Sequence, residues 1–92
     1  MMQKKVTLKI SGRVQGVFFR VSAQDKAREL NLAGWVKNEA NSTVTIEAAG
    51  EENKLQELIK WCQEGPECAK VDNVEVNWYP AGKKFSSFII KH

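Results

Sequence analysis

The apolar residues of this chain keep switching between two periods, and every switch leaves a segment with a single apolar face. Val6, Leu8 and Ile10 alternate with Thr7 and Lys9, the period of a strand buried on one side. From residue 19 the spacing changes. Phe19, Ala23, Ala27 and Leu30 recur at intervals of four, four and three, as on one face of a helix whose wet side carries Asp25, Lys26, Arg28 and Glu29. Asn31 stands where that helix must stop, and Asn tolerates the left-handed conformation that helix ends often use. AGWVKN and TVTIEAA then read as two strands joined at Glu39-Ala40-Asn41-Ser42, a hairpin with weaker turn chemistry than Asn-Gly. A second helix is expected from about Glu51 to Gln63, striped by Leu55, Leu58, Ile59 and Cys62 and stopped by Gly65-Pro66. Val74, Val76 and Trp78 alternate again, Pro80-Ala81-Gly82-Lys83 turns the chain, and Phe88 and Ile90 mark a final strand.

Elements with one apolar face each must meet in layers. The order β-α-β-β-α-β, with a further short C-terminal strand, predicts an α+β ferredoxin-like plait: a four- or five-stranded, mainly antiparallel sheet with two helices on one face. At 92 residues and 42% hydrophobic, the chain has material for one sheet–helix core, so residues 1–92 are expected to form a single domain. This architecture leaves function open, because plaits host many unrelated activities.

Composition removes several classes. The net charge of +3 is spread along the chain, with Lys4-Lys5 and Lys83-Lys84 as its densest cationic runs, whereas a nucleic-acid binder would show a tighter stripe. MMQKK is basic, but alternation follows it in place of a continuous apolar region, and no run approaches the length of a membrane span. A cytoplasmic location is therefore expected, with no membrane partner. Two cysteines and one histidine, His92 at the chain's end, cannot assemble a structural zinc site. Cys62 lies on the second helix's apolar stripe and is expected as a buried thiol, a Cys62–Cys68 disulfide being disfavoured in a reducing compartment. No Cys-x5-Arg loop offers a thiolate to phosphate, and no carboxylate cluster invites two metal ions, so neither metal nor cofactor is expected.

The period changes within SGRVQGVFFR, residues 11–20. Gly12 and Gly16 remove side chains that would block an anion, the helix start supplies unpaired backbone N–H groups, and Arg20 carries a planar fork able to grip two oxygens. The turn has the chemistry of an anion cradle. It is neither a Walker loop, since no Gly-Lys-Ser/Thr follows, nor a dinucleotide fingerprint. On the residues alone, a tight connection with a solvated Arg20 accounts for it equally. Phe18 and Phe19 read as core, one anchoring the loop and the other starting the helix stripe; Arg13 reads as a rim charge.

GRVQGVFFR followed by GWVKN resembles the acylphosphatase family. The likeness continues through LNLAGWVKN, STVTIEAAG and the Gly-Pro after the second helix, in the family's order and over essentially the whole chain. The resemblance implies the plait fold and hydrolysis of the carboxyl–phosphate anhydride of small acyl phosphates without metal or cofactor, inorganic phosphate being product or inhibitor. It implies that Gln15, Gly16, Val17, Phe18, Phe19 and Arg20 form the phosphate loop. Arg20 would be the essential phosphate-binding arginine, and Asn38 would hold the attacking water. Three positions depart from the commoner family pattern: Asn31 and Ser42 stand where glycine is usual, and Ala23 replaces a Thr. The first two bear on backbone strain, the third on catalytic rate. A monomer is the default for so small a chain.

The inventory suits such a reaction. A carboxylate leaving a mixed anhydride needs no general acid, whereas an alkoxide leaving a monoester would. Positioning and electrostatics then do most of the work of phosphoryl transfer, and a neutral amide such as Asn38 can orient a water, as Gln does in some GTPases. Without the resemblance, a strand-end Asn capping the hairpin is the simpler reading of Asn38. The rival is a non-catalytic anion- or RNA-binding plait. RNA-recognition plaits stack bases on mid-strand aromatics. Here Phe18 and Phe19 lie at the turn and helix start, VTLKI has no aromatic, and Trp35 and Trp78 read as core-facing or rim residues.

Overall fold

The computed structural model describes residues 3–82 and 86–91. Its elements run β1 (Gln3–Arg13), α1 (Phe19–Glu29), β2 (Ala33–Asn38), β3 (Val44–Glu51), α2 (Glu52–Glu64), β4 (Lys70–Pro80) and β5 (Phe88–Lys91). The strands form one sheet in the order β4-β1-β3-β2-β5, antiparallel except for the β2–β5 pair. This is the expected plait, with the fifth strand present and paired in parallel.

Register turns the alternation of each strand into rows across the sheet. Val76, Leu8, Ile46, Val36 and Ile90 stand in one row over all five strands. A second row runs Trp78, Val6, Ala48, Gly34, Phe88, and a third Val74, Ile10, Val44, Asn38. The two helices cover this face. α1 buries Phe19, Ala23 and Ala27, and α2 buries Leu55, Leu58 and Cys62. The alanines let α1 approach the sheet closely, while Phe19 meets Trp61 of α2 with ring centroids 5.4 Å apart. Each fully buried Leu, Ile or Phe contributes roughly 1.5–3 kcal/mol, so this one interface carries most of the apolar stabilisation. The opposite sheet face is polar. There Lys5 lies 4.0 Å from Glu47 and over the Tyr79 ring, and Lys91 stands over Trp35.

The local stops behave as their residues demand. Asn31 adopts φ 59°, with Asn31 N–H donating to the Arg28 carbonyl and Leu32 N–H to the Ala27 carbonyl, a Schellman ending that satisfies two orphan carbonyls of α1. In the hairpin Ser42 is left-handed at φ 74°, and Asn41 Oδ1 accepts from both the N–H and the hydroxyl of Thr43. Both cysteines are free thiols, Cys62 buried and Cys68 exposed.

Three expectations need correction. β1 does not end at Ile10 but continues through Gly12 to Arg13, with a register shift between Ser11 and Gly12. Gly12, at φ 124°, lies against β4 so closely that a Cβ there would collide with the Lys70 carbonyl. That glycine serves strand approach and is no part of a cradle. Likewise β4 begins at Lys70, before its first alternating valine, because the bulged end of β1 remains paired to it. Pro80 closes β4 as the turn reading requires; Lys83, Lys84 and His92 lie outside the described residues.

Candidate active site

Five residues, Val14 to Phe18, carry the chain from β1 to α1. Val14 and Val17 are buried and peg the loop to the core, while Gly16 and Phe18 between and after them stand exposed. Gly16 and Phe18 are left-handed, at φ 72° and 63°, and Val17 between them is not. Backbone that alternates handedness in this way curls successive N–H groups toward one side. Beside Gly16 there is open space, with nothing within 4 Å of where a Cβ would stand. The Phe18 carbonyl accepts from Ser22 N–H at 3.0 Å, so α1 starts at this residue with no side chain capping its first N–H groups. Those donors remain available to an anion.

A cleft of about 360 Å³ opens here. Gly16, Arg20 and Asn38 line it together with apolar Val14, Phe18, Phe19, Val21 and Ile90. Four of the six expected loop residues, Gly16, Phe18, Phe19 and Arg20, are thus brought to one cleft with Asn38. Val17 is not on the cleft but buried in the core, as a peg. Gln15 is also absent from the lining: its Nε2 donates to the carbonyls of Glu39 at 2.8 Å and Thr43 at 3.0 Å, tying the loop to the β2–β3 hairpin. Arg20 is half-buried and has no carboxylate partner among the described residues.

Asn38 is the odd member of its row. It follows Gly34 and Val36 on the helix-covered face of β2, beside Val44, where an apolar side chain would serve stability better. Its Oδ1 is sealed from solvent with no partner among the described residues. An unmet buried acceptor costs about 1–3 kcal/mol, so the amide stands here at the expense of stability. A half-turn of the terminal amide exchanges its donor and acceptor ends, and either can hold a water. Among the described residues no carboxylate, imidazole or thiol lines the cleft, and no three His, Cys, Asp or Glu gather as a metal would require.

Phe18 contradicts the expectation that both phenylalanines are core. Phe18 is 76% exposed while Phe19 is 1% exposed. Left-handed backbone at Phe18 turns its side chain outward as the helix begins. Sequence reasoning also passed over Val21 and Ile90. Val21 left a trace, being apolar yet off the Phe19-Ala23-Ala27 stripe; Ile90 reaches the cleft only through the parallel pairing of β5 with β2.

A family model described as Acylphosphatase matches residues 6–90. The chain belongs to the acylphosphatase family. An acylphosphatase of Marinobacter nauticus is 48% identical over 85 residues, 92% of each chain. The solved acylphosphatase from Coxiella burnetii superposes with a TM-score of 0.93 at 39% identity, covering 98% of this chain and 94% of that one. The Bacillus subtilis acylphosphatase crystal structure gives 0.94 at 35% identity, over 97% and 99%. Within the acylphosphatase fold, the departures at Asn31 and Ser42 fall on left-handed residues, where glycine would be unstrained, and Ala23 is buried in the core.

Proposed function

We propose that this chain hydrolyses the carboxyl–phosphate anhydride of small acyl phosphates to a carboxylate and inorganic phosphate. The observation that carries the reading is the meeting of Gly16, Arg20 and Asn38 on one cleft, which no carboxylate or imidazole among the described residues lines. In the proposed reaction the backbone of residues 15–20 and the Arg20 guanidinium hold the phosphoryl oxygens, neutralising their charge as it redistributes. Asn38 holds a water in line with the scissile P–O bond. Water oxygen bonds to phosphorus, the P–O bond to the acyl group breaks, the carboxylate leaves unprotonated, and the water's protons depart with phosphate. A weakly basic leaving group makes this feasible without a general acid; an alkyl monoester would stall.

Membership of the acylphosphatase family, with no helix long and apolar enough to cross a membrane among the described residues, supports a small acyl phosphate as substrate. Nucleic acid is not proposed as a partner. Trp35 and Tyr79 on the uncovered sheet face already lie beneath the Lys91 and Lys5 ammonium groups, at 4.7 and 5.3 Å. A monomer in a reducing, cytoplasmic setting fits a chain whose cysteines are both free.

The test follows benzoyl phosphate by ultraviolet absorbance with EDTA present and p-nitrophenyl phosphate in parallel. Loss of the acyl phosphate, indifferent to chelator, at least about a hundredfold faster than on the monoester and absent in Arg20→Ala, is the expected result, since one well-aimed charge donor is worth about 10²–10³ in rate. A folded protein that turns over neither compound, or the monoester equally well, would refute it.

A further inference from the structure

The two working parts of the cleft come from elements that are not neighbours in the sheet. The anion donors stand on the loop after β1 and at the start of α1, whereas Asn38 closes β2, and β3 lies between β1 and β2. Two strand spacings, roughly 10 Å, therefore separate β1 from the strand that carries Asn38. In-line attack tolerates little slack across such a gap, because a misplacement of about 1 Å can cost on the order of 10²-fold in rate.

The side chain of Gln15 spans the gap. Its Nε2 donates to the carbonyls of Glu39, the residue next to Asn38, and of Thr43. Both partners only accept, so the amide has one possible orientation and spends both N–H groups. Among the described residues no other hydrogen bond joins residues 14–20 to residues 38–43. The hairpin closes without these bonds: Ser42 N–H already donates to the Glu39 carbonyl at 3.2 Å, and Glu39 N–H to the Thr43 carbonyl at 2.8 Å. Gln15 gives each carbonyl a second donor, and what this adds is a fixed distance between loop and hairpin. Its sequence neighbour Gly16 and Glu39's neighbour Asn38 both line the cleft, while Gln15 itself does not.

We infer that the Gln15 side chain is a positioning group: it sets the spacing between the phosphate held by the loop and Arg20 and the water held by Asn38, and touches neither. This role rests on the proposed acylphosphatase reaction and assigns the side chain to alignment of the attack, not to the anion. Two consequences separate it from a merely structural tie. Removing the tie leaves every anion donor in place, so turnover falls while phosphate affinity holds. The tie also acts in both directions, so an anion that stills the loop must still the hairpin.

The experiment compares wild type with Gln15→Met, which keeps the length of the side chain and removes both donors. On benzoyl phosphate kcat should fall at least about tenfold, with the inhibition constant for inorganic phosphate within about twofold of wild type. Gln15→Glu supplies a rescue. Its carboxylate faces two carbonyls and cannot donate, but its protonated form can donate to one. Its kcat relative to wild type should therefore rise at least about threefold as pH falls from about 8 to about 5. Amide exchange reads the tie without turnover: inorganic phosphate should slow exchange at Glu39 and Ser42 at least about threefold in wild type and leave both unchanged in Gln15→Met. A folded Gln15→Met with kcat within about twofold of wild type would overturn the role, and so would phosphate inhibition weakened in step with kcat, which would return the side chain to the anion. Should the variants fail to fold, hairpin amides that ignore phosphate in the wild type would overturn it alone. No turnover by the folded wild type would instead remove the acylphosphatase reading, and the positioning role with it.

Discussion

Arg20 and Asn38 share one cleft but meet different parts of the proposed reaction, and substitution should separate them. Arg20→Ala removes the only cation that lines the cleft among the described residues, so kcat/KM on benzoyl phosphate should fall about 10³-fold and competitive inhibition by inorganic phosphate should disappear with it. Arg20→Lys should recover little, because an ammonium cannot present two parallel N–H donors. Asn38→Ala should lower kcat about 10²-fold with the phosphate inhibition constant within about twofold of wild type, since the water has lost its holder and the anion has not. The same variant removes a buried unpaired oxygen, so it should be no less stable in urea than the wild type. Equal loss of phosphate affinity in both variants would sink this division. At this scale the residue types alone left Arg20 and Asn38 with two readings each, and what singled them out was the family motif around them, GRVQGVFFR followed by GWVKN. The sequence was not legible at Phe18 and Phe19. Identical neighbours carry no mark of which one is turned outward, and the answer lies in a left-handed backbone angle at Phe18 that only the assembled loop imposes.

The elements that frame the cleft are joined by contacts of different kinds, and the two glycines of the SGRVQGVFFR stretch show it. Gly12→Ala drives a methyl into backbone of β4, which cannot yield without separating the strands, so a loss of several kcal/mol or outright failure to fold is expected. Gly16→Ala meets nothing and should cost only about 1 kcal/mol for its left-handed backbone, yet its methyl enters the cleft and should weaken phosphate inhibition at least about tenfold. Chemical denaturation and inhibition kinetics on the two variants separate a structural glycine from a site glycine; similar behaviour in both assays would contradict the distinction. Gln15 joins the loop to the hairpin that follows Asn38. Gln15→Ala should destabilise by about 1–2 kcal/mol through two half-buried carbonyls left without that donor, seen as a lower urea midpoint. Periodicity, Asn31, Ser42 and Gly65 made the elements and their ends readable, because those signals act within a few residues. The reach of β1 beyond Gly12, the parallel β2–β5 pairing that brings Ile90 to the cleft, and the Gln15 tether were not readable. Each depends on a partner more than 20 positions away, which no local pattern names.

For the molecule as a whole, stability rests on one sheet–helix interface, and a titrating group sits inside it. Cys62 packs fully buried on α2, and burial pushes its thiol up to about 12. In the unfolded chain the same thiol titrates near its ordinary value of about 8.5. Above that pH the unfolded state binds fewer protons than the folded one, so this group's contribution to stability is fully present below about 8.5 and is lost as pH rises toward 12. The slope approaches about 1.4 kcal/mol per pH unit, or roughly 1.5–2 kcal/mol between pH 8 and pH 10. Urea unfolding at those two pH values should show the wild type losing that much more than Cys62→Ala, a variant that still fills most of the site but cannot ionise. A thiol reagent should report the same asymmetry in the native protein at pH 8. It should label exposed Cys68 promptly and Cys62 only as fast as the molecule opens, because a thiol held protonated and out of contact with solvent is no nucleophile. Rapid labelling of both cysteines would mean that α2 leaves the sheet far more often than a core packed on this single face allows.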